Sequence, residues 1–333
     1  MTHPENPPLP ARPLDPQISS IQPGGGVCMR LELAWGYVRR AILKRCFPGY
    51  VQRMAACRQG DRNPCPFEVL DPRDVKFYRN QGGYHWRTAD DPFAWREHLP
   101  FARSGLTELW LLSGSFFLAT LLLGWLTIRV ASPWNSLLGL LTLGALFCSG
   151  AIVWFFRNPR RTPPGGPATV VSPADGTIVL IEELPHDDHV GGPAILIGIF
   201  LSIFNVHINR LPLDGRVVEL RYRRGKFLNA LKPASARENE QLAVRFQQPQ
   251  APHRRFEVRQ IAGAIARRIV CWVAPDEVLD RGAQFGMIKL GSRTELILPR
   301  EQGLEIVTRL GEKVRAGESV LVRYRETGVA PSA

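Results

Sequence analysis

The pair Gly291-Ser292 lies between two strand-like segments near the C-terminus, in the run Phe-Gly-Met-Ile-Lys-Leu-Gly-Ser-Arg-Thr-Glu-Leu-Ile-Leu-Pro at 285–299. A serine hydroxyl in this position can attack the carbonyl carbon of the preceding glycine and convert the amide into an ester. Elimination then leaves a dehydroalanine, which hydrolyses to a pyruvoyl group, so that Ser292 would become a carbonyl cofactor. A Leu-Gly-Ser tripeptide also occurs by chance, and then indicates only a glycine turn followed by an exposed serine.

Self-cleavage at Ser292 needs a base, a group that orients the base, and donors for the oxyanion. His207 is the candidate base, because an apolar strand runs into a polar turn there and an imidazole can face a cleft. Asp175, in Ser-Pro-Ala-Asp-Gly at 172–176, is the candidate orienting group. Each residue also fits a structural role, His207 as a hydrogen-bonded core histidine and Asp175 as part of an Asp-Gly turn.

The elements that must position these residues are short apolar runs rich in β-branched residues and separated by glycine and proline. They predict strands at 169–171, 177–181, 194–200, 217–220, 255–258, 268–273, 295–298 and 319–324. Many short strands with few helical patterns predict an α+β fold, namely a mostly antiparallel β catalytic domain with a few helices over 162–328. The turn and strand at 311–320 are similar to the hairpins of lipoyl- and biotinyl-type domains, without a lysine at the tip.

Two uncharged stretches precede this domain, at 109–128 and 135–156, and a short segment with a proline joins them. Each is long enough to cross a hydrocarbon core of about 30 Å. We therefore predict a hydrophobic helical hairpin over 105–161. Arg103 before it and Arg157, Arg160 and Arg161 after it predict that both outer ends lie in the cytoplasm. A buried core hairpin, or a pair that only dips into the bilayer, is the alternative.

The N-terminal third has two parts. Residues 1–27 are rich in proline and glycine and predict a disordered tail without a signal peptide. Residues 28–104 form an extension that begins with a basic amphipathic helix, whose apolar positions are Leu31, Trp35, Val38 and Ile42. Such a helix can lie on anionic lipid or pack against the catalytic domain. The segment 61–100 has aromatic and turn residues but no clear period, so it receives no function.

The net charge and the cysteine and histidine spacing indicate which ligands and partners the chain can bind. The formal net charge of +12 indicates anionic partners, and the hydrophobic hairpin favours acidic membrane lipid over nucleic acid. The six cysteines have no Cys-x-x-Cys spacing, so neither a disulfide nor a zinc site is expected. His186 and His189 bracket two aspartates, but adjacent residues in a polar turn favour solvated side chains over a metal site.

Several motifs, taken in order, resemble the phosphatidylserine decarboxylase family in its short bacterial and archaeal form. They are Phe-Phe-Arg-Asn-Pro-Arg at 155–160, Ser-Pro-Ala-Asp-Gly at 172–176, the segment 202–212, Gly-Lys-Phe-Leu-Asn-Ala at 225–230 with Asn239-Glu240, the segment 260–270, and 285–299. The resemblance covers about residues 105–325 and leaves out the first hundred.

The resemblance implies a proenzyme that cuts itself between Gly291 and Ser292 into a β chain, 1–291, and an α chain, 292–333. Ser292 would become the pyruvoyl group, form a Schiff base with the amine of phosphatidylserine, and release carbon dioxide and phosphatidylethanolamine. No metal and no pyridoxal phosphate would be required. The hydrophobic hairpin and its flanking arginines predict a location at the inner cell membrane, with the catalytic domain on the cytoplasmic face. A homo-oligomer is compatible with the sequence.

One departure concerns the proton acceptor. Longer family members have two histidines in a His-x-x-His arrangement, and here the second position is Arg210. His207 matches the first histidine, which the resemblance links to decarboxylation, whereas the second is linked to self-cleavage together with the aspartate. We therefore expect His207 to act in at least one stage and Asp175 to support it, and the base for self-cleavage stays open.

Three other functions fit some of these residues. A serine hydrolase that uses Ser292, His207 and Asp175 lacks the Gly-x-Ser-x-Gly turn. A membrane-tethered adaptor with a lipoyl-like domain would need no serine chemistry. A decarboxylase of a related serine phospholipid, archaetidylserine, would use the same residues on an ether lipid.

Overall fold

The computed structural model describes residues 7–56, 58–59, 70, 85–86, 95–96, 99–130, 133–166, 168–264, 268–289 and 291–325. The chain divides into two compact units. One comprises Met1–Pro92 with Arg161–Ala333, and the other is Phe93–Arg160. Most of the segment 61–100, to which the sequence assigned no function, lies outside the described residues.

The unit Phe93–Arg160 is a helical hairpin. Its helices, here called α3 and α4, span Arg103–Arg129 and Trp134–Phe155, with mean hydropathies of 1.9 and 2.0 over their most apolar windows. The Oγ atoms of Ser113 and Ser149 lie 3.0 Å apart and link the two helices. Almost none of either apolar window is buried, which is the opposite of a core hairpin. Both helices are long and apolar enough to cross a membrane.

The other unit is built on antiparallel strands, as the sequence predicts. Its described strands are β1 Arg58–Gln59, β2 His85–Trp86, β3 Thr169–Val171, β4 Gly176–Asp187, β5 Gly192–Leu201, β6 Ile208–Arg210, β7 Gly215–Arg223, β8 Gln241–Gln247, β9 Arg255–Ile261, β10 Arg268–Cys271, β11 Val278–Leu279, β12 Gln284–Lys289, β13 Ser292–Pro299, β14 Leu304–Ile306, β15 Lys313–Val314 and β16 Val320–Tyr324. Its helices are α1 Val27–Cys46, α2 Pro48–Ala56 and the short α5 Ser235–Glu238. The α+β class is confirmed.

Eight strands form the main sheet, in the order β11-β7-β8-β9-β13-β5-β4-β15. Two three-stranded sheets, β10-β12-β6 and β14-β16-β3, complete the domain, and β1 pairs with β2. The turn and strand expected at 311–320 are present, but β15 pairs with β4 whereas β16 pairs with β3 and β14. The central position of β13, between β9 and β5, places Ser292 opposite Leu201.

Alternation along the strands explains the core. In β13 the apolar residues Leu296 and Leu298 and in β5 Ile195, Ile197 and Ile199 are fully buried in one hydrophobic cluster. Successive side chains of a strand point to opposite faces, so Ser292 and Thr294 lie on the same face as Leu296. At the start of β13, the polar residues Ser292 and Thr294 therefore lie next to the hydrophobic core.

The expectation of a disordered tail is wrong for residues 7–26, which lie along the β domain. The Leu9 amide donates to Gln247 Oε1 at 2.8 Å, the Tyr222 amide to Asp15 Oδ2 at 3.0 Å, and the Cys271 amide to the Ile21 carbonyl at 2.8 Å. Backbone groups at sheet positions need partners, and this segment supplies them. Composition alone did not reveal it, because proline and glycine suit an irregular segment bound to a surface as well as a free one.

The basic amphipathic helix expected after the tail corresponds to α1. Leu31, Trp35, Val38 and Ile42 are about half exposed, between 49% and 57%. This apolar row is thus partly exposed, although Glu32 and Arg40 on the same helix are buried. That the row lies on anionic lipid stays a prediction.

Candidate active site

The Gly291–Ser292 bond lies at the tight connection between β12 and β13. Gly291 has a φ of +60°, in the left-handed region that side chains disfavour. The chain bends at Gly291 and enters β13 at Ser292, which pairs with Leu201 of β5. A glycine is required at this position by conformation, and the strand that follows holds the serine rigidly.

The Ser292 side chain is fully buried, and its Oγ has no hydrogen-bond partner among the residues that the structure describes. The sequence alternative of an exposed serine after a turn is therefore wrong. Leaving a buried hydroxyl unsatisfied costs about 1–3 kcal/mol. A hydroxyl without a hydrogen-bond partner, next to the carbonyl of the preceding residue, is a candidate nucleophile.

His207 contacts Gly291 one peptide before the cleavage site. It follows the loop after β5 and is 1% exposed. The amide of Gly291 donates to His207 Nε2 at 3.1 Å, and His207 Nδ1 lies 2.9 Å from the Asn205 carbonyl oxygen. Since a carbonyl only accepts, Nδ1 carries the proton and Nε2 presents its lone pair to the cleavage site. The imidazole is thereby held in the tautomer that a base requires.

Gly263 closes the site on the carbonyl side, and the sequence did not single it out. A Cβ atom at this position would lie 2.0 Å from the Gly291 carbonyl oxygen, nearer than any real contact. Only a residue without a side chain allows the two backbones to approach so closely. The flanking Ala262 is fixed by Asn239, whose Nδ2 donates to the Ala262 carbonyl at 2.7 Å. A glycine after the β9 strand was the available sign in the sequence.

Asp175 has a different partner from the one expected. Its carboxylate forms two hydrogen bonds with the guanidinium of Arg161, one of them 2.8 Å from Nη2 to Oδ2, and accepts the Ala316 amide at 2.8 Å. Both charged side chains are nearly buried. Asp175 is thus paired with Arg161 rather than with His207, because the segment before β3, which carries Arg161, lies against the turn that contains Asp175. Its expected support of His207 stays a prediction without a direct contact.

Arg210 lies near the Arg161–Asp175 pair and Glu318, and these four side chains are here called the charge cluster. Its Nη1 donates to the Gly282 carbonyl at 3.0 Å. Burial and the nearby Arg161 lower the pKa of Arg210 to about 10, and Asp175 and Glu318 oppose this shift. Arg210 remains a cation near neutral pH and cannot accept a proton. The position at which the family resemblance would place a second histidine therefore holds a cation in this chain.

A buried polar network under the start of β13 was also missed. Asn209 Nδ2 donates to Thr294 Oγ1 at 3.1 Å, and Gln260 Nε2 donates to Asn209 Oδ1 at 2.9 Å. All three residues are fully buried. Thr294 shares a face with Ser292, so the network fixes the strand that carries the nucleophile. An asparagine within the apolar stretch after His207 was the only sequence sign.

The two histidines near the aspartate pair do not face each other across a metal site. His189 is buried, its Nε2 lies 3.1 Å from the Phe246 carbonyl oxygen, and burial lowers its pKa. His186 has a largely exposed side chain. Within the described part of the chain, no group of three or more His, Cys, Asp or Glu side chains could hold a metal ion. That no metal is needed stays a prediction.

Comparison with known proteins decides the family. The model of the family described as phosphatidylserine decarboxylase matches residues 149–322. A phosphatidylserine decarboxylase proenzyme of Rhodopirellula baltica is 50% identical over 252 residues, which are 76% of this chain and all of the relative. This chain belongs to the phosphatidylserine decarboxylase family. Proenzymes of the same name from Pelobacter propionicus and Syntrophus aciditrophicus are 38% and 44% identical, over 68% and 50% of this chain and 98% and 77% of theirs.

The resemblance inferred from the motifs is thereby confirmed. The region matched to the phosphatidylserine decarboxylase family contains Asp175, His207, Gly291 and Ser292. It leaves out α1, α2 and most of the helical hairpin.

Proposed function

We propose that the chain is a proenzyme that cleaves itself between Gly291 and Ser292 and then decarboxylates phosphatidylserine to phosphatidylethanolamine and carbon dioxide. The observation that carries this proposal is the buried, unpaired Ser292 Oγ beside the Gly291 carbonyl, together with the Gly291 amide, one peptide earlier, which donates to His207 Nε2. The relatives' names, which call them proenzymes, support the processing step.

In the first stage His207 Nε2 releases the Gly291 amide that it accepts in the structure and takes the Ser292 Oγ proton as Oγ attacks the Gly291 carbonyl carbon. The protonated imidazole then gives this proton to the Ser292 nitrogen as the amide bond breaks, which leaves an ester. Loss of the Ser292 α-proton expels the Gly291 carboxylate and leaves a dehydroalanine. Hydrolysis of the dehydroalanine replaces its amino nitrogen with the oxygen of water and releases ammonia. The chain 292–333 then begins with a pyruvoyl group. Arg210, a cation in the charge cluster, cannot replace His207 in these transfers.

The surroundings of Ser292 suit a pyruvoyl group, since its unpaired, fully buried Oγ marks a small polar position without a side-chain partner. Such a group supplies a carbonyl that takes the substrate amine and withdraws electrons as carbon dioxide leaves. His207 Nε2 is the proton carrier for the carbon that loses its carboxylate. Gly263, which has no side chain, lets the backbone pack closely against the Gly291 carbonyl. We propose no metal and no pyridoxal phosphate in the reaction.

The substrate is a lipid with net negative charge, and the chain is a cation of +12 with two apolar helices. We infer that α3 and α4 anchor the enzyme in the inner cell membrane with their outer ends in the cytoplasm, because arginines flank both ends. The product is zwitterionic and is held less tightly by a basic surface. An archaetidylserine substrate would use the same headgroup chemistry, and assay of both lipids separates them.

Denaturing electrophoresis of the purified chain tests the first stage. The native protein is expected to give two chains, 1–291 and 292–333, of which the shorter has a blocked, borohydride-reactive start. Ser292→Ala should stay uncut and inactive, whereas Ser172→Ala, a control at another fully buried serine, should be cut normally. An intact native chain, or cleavage of Ser292→Ala, would refute the assigned bond. Formation of labelled phosphatidylethanolamine from labelled phosphatidylserine tests the second stage.

A further inference from the structure

Two loop tips with exposed apolar side chains stand beside the cleavage site. One follows β5 and carries Ile203 and Phe204, which are 43% and 68% exposed. The other lies between β7 and β8 and carries Leu231, which is 56% exposed. Large apolar side chains exposed together next to a site are typical of a surface that is covered in use.

Hydrogen bonds hold both tips in fixed turns. Asn205 Oδ1 accepts from the amide and the hydroxyl of Ser202, at 2.9 and 2.7 Å, and so closes the loop around Ile203 and Phe204. In the second loop Asn229 Oδ1 accepts the Leu231 amide at 3.0 Å. The Asn229 side chain mimics a backbone turn, and the Asn205 amide also donates to the Ser202 carbonyl at 3.0 Å. The apolar side chains are therefore presented outward by rigid turns.

Both tips converge on Gly291. A Cβ atom built on Gly291 would lie 3.9 Å from Ile203 Cγ2. A Cβ atom built on Gly263, which approaches the Gly291 carbonyl oxygen, would lie 3.6 Å from the Cβ of Ala230, the residue before Leu231. The first tip thus lies next to Gly291, and the second lies next to Gly263, which approaches the Gly291 carbonyl oxygen.

The charge around the second tip identifies the kind of surface that could cover it. Residues 223–237 contain five basic residues and no acidic one. Of these, Lys232 directly follows Leu231 and is exposed, and Lys226 is exposed and paired with Glu238 at 2.8 Å. Apolar tips surrounded by cations fit the boundary between acyl chains and anionic headgroups. A protein partner would need acidic groups facing these cations and an apolar pocket for the tips, whereas a bilayer supplies both.

We propose that Ile203, Phe204 and Leu231 insert into the surface of an anionic bilayer, so that the mouth of the site opens onto the lipid headgroups. This rests on the proposed function, because it names the surface from which that site takes its substrate. A lipid headgroup then reaches Ser292 without leaving the membrane. The inserted tips also exclude water from the entrance.

Photocrosslinking of the full chain tests the insertion without requiring activity. Benzoylphenylalanine is placed at 204 or 231, and the Ser292→Ala form of each protein is reconstituted in phosphatidylglycerol and phosphatidylcholine bilayers. The matched control carries the probe at Leu310, an apolar residue that is 65% exposed in the turn after β14. We expect lipid adducts at 204 and 231 at several times the yield at 310. Equal yields at all three positions, or crosslinks to a second protein copy, would overturn the proposal.

Kinetics give a second, independent result. In the native background, Phe204→Ser should raise the KM for phosphatidylserine in mixed micelles about tenfold and leave kcat and processing within about twofold. Phe204→Leu should recover most of the loss, and Leu310→Ser should change nothing. Activity on a short-chain, monomeric phosphatidylserine should be equal in all variants. A fall in kcat, or an equal loss on the monomeric lipid, would place Phe204 inside the reaction and refute insertion. If native protein makes no product, the proposed function fails while the crosslinking result still stands.

Discussion

Gly263→Ala is the sharpest test of the site geometry, because it adds one methyl group against the bond to be cut. The new Cβ would lie 2.0 Å from the Gly291 carbonyl oxygen. An ordinary carbon–oxygen contact is about 3.4 Å, so the two backbones must separate by about 1 Å or more. Displacement of reacting groups by about 1 Å costs about 100-fold in rate. We therefore expect self-cleavage to slow by about two orders of magnitude.

The same substitution should leave the chain folded. Overpacking typically costs about 1–3 kcal/mol, less than the roughly 5–15 kcal/mol by which domains are stable. Cleavage is followed by denaturing electrophoresis at intervals after synthesis, as the appearance of the chain 292–333. Thermal unfolding of each variant reports its stability in parallel.

Two glycine controls separate geometry from stability. Gly215→Ala also overpacks, since its Cβ would lie 2.9 Å from Phe256 Cζ in the core. Gly192→Ala places its Cβ in open space within β5. Both controls should be processed at close to the native rate. Native-rate cleavage of Gly263→Ala, or an equal delay in Gly215→Ala, would refute the inference that Gly263 positions the Gly291 carbonyl.

Three further predictions concern His207, Asp175 and His189. His207→Ala removes the imidazole lone pair near the cleavage site and should slow both self-cleavage and decarboxylation about 100-fold or more. Denaturing electrophoresis measures the cleavage, and the amount of ethanolamine lipid formed measures the decarboxylation. Full activity of the variant would remove His207 from the mechanism. Asp175→Ala leaves the buried Arg161 charge without its carboxylate and should lower the free energy of unfolding, measured by urea titration, by about 3–5 kcal/mol. The double variant Arg161→Met with Asp175→Leu should recover much of that lost free energy. An unchanged urea midpoint for Asp175→Ala would contradict the prediction. Burial lowers the pKa of His189, so the unfolded chain binds its proton more readily. Stability should be fully present above pH 6.5 and fall as pH drops from 6.5 toward the depressed folded pKa, and His189→Gln should flatten that part of the profile; an equally steep profile in the variant would exclude His189 as the cause.

The β domain was accessible from the sequence because its signals are local. Alternating or continuous apolar runs predicted the core strands, and Thr169–Val171 is found with the expected bounds. The helical hairpin was equally accessible, since length and hydropathy set both helices. The tail was not, because whether 7–26 binds depends on the distant Gln247, Tyr222 and Cys271.

The sequence by itself determined the candidate nucleophile, the glycine before it and the family, since ordered motifs carry that information. Only the tertiary structure decided their partners. His207 lies 84 residues from Gly291 along the chain, and Asp175 lies 141 residues from Ala316. Composition cannot specify which strand ends meet, so Asp175 was assigned to His207 and is instead bound by Arg161. Gly263 and the unpaired Ser292 Oγ have meaning only after the strands pair, because a close backbone approach and a buried, partnerless hydroxyl are properties of packed chains.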